Sequence, residues 1–133
     1  MARTYKLEVI TPEGQVYDSE VVHLRAPGVE GDFGVLADHA PIMAAVRIGK
    51  LHVDEPKASL DFAISGGYLE GHENRMVLLV QTCERKEEID VERARRARER
   101  AEERLTEMRE GVDIERARIA LLRALNRLRV AES

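Results

Sequence analysis

The segment Ile89-Asp90-Val91-Glu92-Arg93-Ala94 opens the first helix of an arginine-rich stretch from Glu84 to Val130. This stretch decides the fold of the 133-residue chain. Before this stretch, apolar and polar residues alternate, as they do in half-buried strands. Within it, apolar residues recur every three or four positions, the spacing of one helix face. We therefore expect a sheet-forming front half and a helical back half.

Two helices are expected in the back half. Asp90 is a suitable N-cap for the first helix and Asp113 for the second, and Gly111 supplies the break between them. The inward faces are predicted to hold Ala94, Ala97, Ala101, Leu105 and Met108 in the first helix, and Ala117, Leu121, Ala124, Leu125 and Leu128 in the second. Two such helices joined by a short turn form an antiparallel hairpin. Its narrow, mostly alanine stripe makes it marginal by itself.

The front half is predicted to be a β-sandwich, because short apolar runs follow one another closely with turn signals between them. Thr11 to Gly14 is expected to turn between the first two strands, with Gly14 supplying a positive φ. Val21 to Ala26 is expected as one strand and Gly49-Lys50 as a hairpin turn. The last hairpin is expected to turn across Gly71 to Asn74.

The predicted fold class is thus mainly β plus α, with an N-terminal β-sandwich (residues 1–86) followed by a C-terminal antiparallel two-helix hairpin (residues 87–133). A net charge of −4 argues against general nucleic-acid binding. Cys83 is the only cysteine, so an intramolecular disulfide is excluded. No apolar run approaches the roughly 18–20 residues that span a bilayer, and we expect membrane association only through partners.

The sequence has no recognisable catalytic or metal-binding constellation. Its histidines lack metal-ligand spacing, and one cysteine cannot complete a zinc site. Gly31 to Pro41 lacks the spacing of a phosphate loop. This segment is expected to be a tight connection in which His39 hydrogen-bonds a backbone carbonyl; a contact surface for a partner is the alternative.

Arginines follow one side of each predicted helix. They are Arg93, Arg96, Arg100 and Arg104 in the first helix, and Arg116, Arg123 and Arg127 in the second. One explanation is a solvated face with Glu–Arg pairs, in which Glu99 and Glu103 interleave with Arg100 and Arg104. The other is that the hairpin brings both rows around an anion, since planar guanidinium groups suit phosphate.

Four segments carry a resemblance to a known family. They are Val9–Gly14, Gly31–Pro41, Ser65–Glu70 and Ala124–Leu128. In order and spacing, they make the chain resemble the epsilon subunit of bacterial F-type ATP synthase along essentially its whole length. The family fold, a β-sandwich followed by a two-helix hairpin, agrees with the prediction above.

The resemblance implies a non-catalytic rotor-stalk subunit that helps couple proton transport to ATP synthesis. Its sandwich is expected to dock on the gamma subunit and the c-subunit ring, at the cytoplasmic face of the bacterial cell membrane. Its hairpin, when extended, is expected to reach the alpha/beta catalytic head and inhibit ATP hydrolysis.

The resemblance also implies a regulatory ATP site on the folded hairpin. The family motif Ile/Leu-Asp-x-x-Arg-Ala is matched by residues 89–94, with an acid, Glu92, in one variable position. The expected ATP contacts are Glu84, Ile89, Asp90, Arg93, Ala94, Arg100, Arg123 and Arg127. ATP is expected to bind without hydrolysis and to favour the folded, non-inhibitory hairpin, with Mg²⁺ dependence left open.

Two other classes stay open at this point. The chain could be a free-standing nucleotide-sensing adaptor protein, which co-purification with gamma would test. It could also be a small nucleotide-binding enzyme, although it lacks a Walker lysine and an acid–nucleophile pair. A hydrolysis assay on the isolated chain would test that reading.

Overall fold

The computed structural model describes residues 3–107 and 113–133 and divides the chain into two compact units between Arg85 and Lys86. The first unit is built from strands. In chain order they are β1 Tyr5–Thr11, β2 Gly14–Val21, β3 His23–Ala26, β4 Phe33–Leu36, β5 Ile42–Val46, β6 Gly49–Asp54, β7 Ser59–Ile64, β8 Gly67–His72, β9 Arg75–Val80 and β10 Cys83–Arg85. The second unit holds a short 3₁₀ turn, Lys86–Glu88, and the helices α1 Val91–Glu107 and α2 Ile114–Glu132.

The strands form two five-stranded sheets, which confirms the predicted sandwich. Sheet I has the order β2-β1-β9-β8-β5, and sheet II the order β10-β7-β6-β3-β4. Every pairing is antiparallel except the parallel pair of β1 and β9. Inward-facing side chains of both sheets, among them Leu7, Leu24, Leu51, Leu69 and Leu78, are fully buried in one core. Alternation along each strand produces this core, because successive side chains point to opposite faces.

Two turns of the sandwich follow the sequence prediction. Gly14 has φ +117°, and the first strand pair turns between Thr11 and Gly14 as expected. The β8–β9 hairpin is also present. Its turn is the two-residue loop Glu73-Asn74, and both residues have positive φ, the conformation that suits a tight hairpin. Gly71 instead lies within β8, where a Cβ would fall within 3 Å of Met76 and His39.

Two other predictions for the front half are wrong. Gly49-Lys50 is not a hairpin turn, because β5 belongs to sheet I whereas β6 begins at Gly49 and belongs to sheet II. Val21 to Ala26 is not one strand, since β2 ends at Val21 in sheet I and β3 begins at His23 in sheet II. At both places the chain crosses from one sheet to the other. Local patterning cannot signal such a change of pairing partner.

The second unit is the predicted pair of helices. Asp90 and Asp113 are confirmed as N-caps: each accepts a hydrogen bond of 3.0 Å from a backbone N–H three residues later. The helices pack along a seam of buried residues, which are Ala94 and Ala101 of α1, and Ala117, Ala124 and Leu128 of α2. Leu125, predicted for this seam, is exposed. The expected break at Gly111 and the seam residue Met108 lie outside the described residues.

Candidate functional site

The Ile-Asp-x-x-Arg-Ala segment divides into structural residues and one exposed cation. Asp90 caps α1, its Oδ1 accepting from the Arg93 backbone N–H and its carbonyl from that of Ala94. Ile89 is 8% exposed and Ala94 3% exposed, so both are packing residues. The side chain of Arg93 is exposed. Capping and packing therefore account for three motif residues, whereas neither accounts for Arg93.

The four arginines of the predicted site share one relation to the helix seam. Each stands immediately before a buried residue: Arg93, Arg100, Arg123 and Arg127 precede Ala94, Ala101, Ala124 and Leu128. One residue corresponds to a rotation of about 100° around a helix axis. All four side chains therefore start from the same flank of the seam on their own helix.

The antiparallel arrangement places these two flanks on one side of the hairpin. When two antiparallel helices face each other across a seam, equivalent flanks of the two helices lie side by side; in a parallel pair they would lie on opposite sides. Arg96 of α1 and Arg116 of α2 fall in the same two rows by helical spacing. We call this surface the arginine side.

Ion pairs form elsewhere on the helices. Arg95 contacts Glu92 at 2.6 Å, Arg98 contacts Glu102 at 3.4 Å, and Arg118 contacts Glu115 at 3.1 Å. By helical spacing these arginines lie away from the arginine side. In the described part of the chain, Glu99 and Glu103 form no ion pair with Arg100 or Arg104. Among the described residues, carboxylates thus do not account for the exposed arginines Arg93, Arg100 and Arg123 of this side.

Charge repulsion is the physical consequence of this arrangement. Arg93, Arg100 and Arg123 are exposed guanidinium groups on one side of a narrow hairpin, and residues 3–107 and 113–133 provide no ion-pair partner for them. Guanidinium groups stay charged at physiological pH and bind phosphate through paired N–H donors. A polyanion on this side would remove the repulsion among them.

Glu84 belongs to a different unit from the other seven predicted contacts. It lies in β10, opposite Ala63 of β7 in sheet II, whereas residues 89–127 of the predicted site lie in the helical unit. Its side chain is half-buried. The hairpin alone thus brings together the arginines and the Asp90 cap.

Sequence reasoning did not identify a depression beside Arg123. It has a volume of about 440 Å³ and is lined by residues of the start of α2, including Arg116, Ile119 and Ala120. Arg116 was noted in the arginine row but not as a site residue. Helical spacing was the available signal. Arg116 lies seven residues before Arg123, which is about two turns, so the two arginines share one face of α2.

An exposed apolar row on the sandwich was also missed. Consecutive cross-strand partners on the outer face of sheet I are Ile10, Leu79, Tyr68 and Ala45. Tyr68 is 59% exposed and Leu79 47% exposed. The signal was present in the continuous apolar run of residues 76–80, since a strand with one solvated face should alternate. We call these four residues the sheet I row.

Within the described residues, no three His, Cys, Asp or Glu side chains are grouped so that they could hold a metal ion. No described helix is both long and apolar enough to cross a bilayer.

His39 does hydrogen-bond a backbone carbonyl as predicted, with its Nδ1 3.2 Å from the Ala40 oxygen.

Comparison with known proteins identifies both units. Residues 4–86 match the family model of the ATP synthase delta/epsilon chain β-sandwich domain, and residues 87–132 match that of its long α-helix domain. The ATP synthase epsilon chain of Desulforamulus reducens is 42% identical over 99% of this chain and 100% of its own length. That of Pelotomaculum thermopropionicum is 48% identical over 97% of this chain and 96% of its own length.

Solved structures share the fold at lower identity. A chain of the Euglena gracilis mitochondrial ATP synthase structure is 24% identical, with a TM-score of 0.83 over 98% of this chain and 82% of its own length. A chain of the Tetrahymena thermophila mitochondrial ATP synthase central stalk and c-ring structure is 13% identical. Its TM-score is 0.62 over 98% of this chain and 96% of its own length. Two matched domain models and relatives above 40% identity over nearly the full length show that this chain belongs to the ATP synthase delta/epsilon family, with epsilon chains as its relatives.

Proposed function

We propose that this chain is a non-catalytic rotor-stalk subunit of an F-type ATP synthase, with a docking sandwich and a regulatory helical hairpin. Through the stalk it would help couple proton transport to ATP synthesis. It would sit at the cytoplasmic face of the cell membrane, reaching the membrane only through its partners. The full-length relationship to epsilon chains is the observation that carries this proposal.

The sandwich is proposed to dock on gamma and the c-subunit ring. The sheet I row supports a partner surface, because Tyr68 and Leu79 place large apolar side chains in water at the middle of the sheet. Exposed apolar patches with a polar border are typical of interaction sites. Glu8 and Glu70, in the adjacent cross-strand row, supply such a border. We assign this face to gamma.

The hairpin is proposed to bind ATP without hydrolysing it. Arg93, Arg100, Arg123 and Arg127 occupy the arginine side, where a triphosphate would offset their mutual repulsion. Asp90 caps the start of α1, the helix that carries Arg93 and Arg100. A ligand that binds only the folded hairpin stabilises it by about 2.7 kcal/mol at a hundredfold excess over Kd. That free energy is sufficient to shift a marginal hairpin to mostly folded.

Inhibition of ATP hydrolysis is proposed to follow from the extended state of the hairpin. From Asp113 onward the chain has five arginines and three acids, so an extended α2 would present positive charge to acidic surfaces of the alpha/beta head. High ATP would then favour the folded, non-inhibitory state. Low ATP would favour the extended, inhibitory state.

Calorimetric titration of the isolated chain with ATP tests the ligand proposal. We expect saturable binding at one site per chain, with bound ATP recovered unchanged. Repeating the titration with and without Mg²⁺ decides whether the cation takes part. Heat of dilution alone, at protein concentrations that detect millimolar affinity, would contradict the proposed site, and steady release of phosphate would favour an enzyme instead.

A further inference from the structure

A cluster of polar side chains spans three neighbouring strands on the outer face of sheet II. Its members are His23 of β3, His52 and Asp54 of β6, and Ser59 and Asp61 of β7. Register pairs His52 with Asp61, and Asp54 with both His23 and Ser59. Intervening residues of the same strands, such as Leu51 and Val53, point into the core. The cluster therefore lies on the face away from the core.

His52 is the centre of this cluster. Its Nδ1 lies 2.7 Å from Asp61 Oδ1, and its Nε2 lies 2.9 Å from Asp54 Oδ1. Ionised carboxylates only accept hydrogen bonds, and a neutral imidazole has a single N–H to donate. Both contacts can therefore be hydrogen bonds at once only when both ring nitrogens carry a proton.

We propose that His52 is a protonation-dependent clamp, which as imidazolium ties β6 to β7 between Asp54 and Asp61 and releases one of them when it loses a proton. After proton loss, one ring nitrogen presents a lone pair to a carboxylate. The two carboxylates then face each other across the strand pair without a shared cation. The device goes beyond the proposed stalk function, since it sets how the sandwich responds to pH.

Other groups on this face modify the clamp without replacing it. Asp54 also accepts a 2.7 Å hydrogen bond from Ser59 Oγ, and its Oδ2 lies 3.4 Å from His23 Nδ1. Arg25 of β3, an exposed residue, is the register partner of His52. Further away on the same face, Lys50 of β6 and Glu84 of β10 flank Ala63 of β7.

The pKa of His52 agrees with this geometry. The hydrogen bond to Asp61 raises it above the ordinary value of 6.5; burial opposes the shift, and the hydrogen bond to Asp54 and both carboxylate charges add to it. The pKa of Asp54 is lowered, mainly by its hydrogen bond from Ser59. Because the folded pKa of His52 lies above the unfolded one, the stabilisation is complete below pH 6.5. It is lost as the pH rises through the folded value.

Urea unfolding of the full chain across pH 6 to about 10 provides one test. The unfolding equilibrium constant should rise with pH above 6.5, by up to tenfold per unit for one released proton. H52Q should lose this part of the pH dependence. H72Q is the matched control, because His72 is exposed and its Nε2 lies 3.9 Å from Glu73; it should keep the wild-type profile. Equal slopes in wild type and H52Q would overturn the clamp.

Nitrogen NMR of the histidine rings in the unmodified chain provides a second test that needs no variant. We expect His52 to have both nitrogens protonated at pH 6.5, with a titration midpoint above that pH. D61N should lower this midpoint, because it removes the first contact of the ring. A His52 ring that is mostly neutral at pH 6.5, or a midpoint unchanged in D61N, would overturn the proposal even if H52Q failed to fold.

Discussion

At the scale of single residues, the candidate ATP site on α1 is distinguished by the different surroundings of two neighbouring arginines. Arg93 and Arg95 are two positions apart on α1 and have opposite environments. Arg95 is paired with Glu92 at 2.6 Å, and Arg93 has no ion pair among the described residues. Helical geometry separates them by about 200°, so only Arg93 belongs to the arginine side. Spacing in the sequence distinguished the two positions, and the structure showed that Arg95 is the one paired with a carboxylate.

Replacement of Arg93 by alanine should weaken ATP binding by about 1.5–3 kcal/mol, the usual loss for a hydrogen bond to a charged group. Arg127→Ala should have a similar effect, because Arg127 belongs to the same row on α2. Calorimetric titration measures both changes. Arg95→Ala is the matched control and should keep affinity within experimental error. If all three variants bound ATP equally well, the arginine side would be a solvated surface only.

At the scale of elements, the hairpin is the part of the chain that we propose responds to a ligand. Its seam consists mainly of alanines, and alanine buries little apolar surface when two helices pack. Each cap carboxylate accepts one N–H in the first turn of its helix and adds only about 1 kcal/mol. Such a hairpin has a small free energy to lose on opening. A bound polyanion is therefore expected to bias it.

Deletion of residues 87–133 should raise ATP hydrolysis by the assembled complex and leave coupling largely intact, since the proposed inhibitory element is removed. Steady-state hydrolysis, measured after inhibitory ADP has been removed, together with ATP-driven proton pumping, checks this expectation. Hydrolysis that stays unchanged under those conditions would contradict an inhibitory hairpin.

At the scale of the whole molecule, the sandwich contains its own core. Every residue of the main hydrophobic cluster, from Tyr5 to Val80, lies within the first unit. The phenol of Tyr5 donates to the Val35 carbonyl at 2.9 Å, which ties β1 of sheet I to β4 of sheet II. Burial raises the pKa of this phenol, so its hydroxyl keeps the proton that it donates to Val35. The sandwich is thus expected to fold without the hairpin.

A chain limited to residues 1–86 should fold and bind gamma, because it retains the core and the sheet I row. Binding is checked by pull-down with gamma and by measuring the affinity of the complex. In the full chain, Tyr68→Ala should weaken the complex by about 2 kcal/mol or more, as expected for an interface aromatic residue. Leu36→Ala, on the exposed edge strand β4 of sheet II, is the control and should not. A truncated chain that folds but does not bind gamma would refute the division of labour.

The amino-acid sequence by itself determined the local features of this protein. Alternation predicted strands, three- and four-residue spacing predicted both helices, and Asp90 and Asp113 were recognisable caps because capping depends on a residue and its next three neighbours. The arginine rows could be read in the same way, because side chains seven residues apart share a helix face.

Only the tertiary structure decided which elements pair and what each surface is left to do. The crossings at Val22 and at residues 47–48 depend on contacts between strands far apart in sequence, so local patterns could not distinguish them from a continuous strand or a hairpin. The exposed sheet I row and the contact between His52 and Asp61 have the same origin. Each depends on which side chains meet across elements, and that is determined by packing of the whole unit.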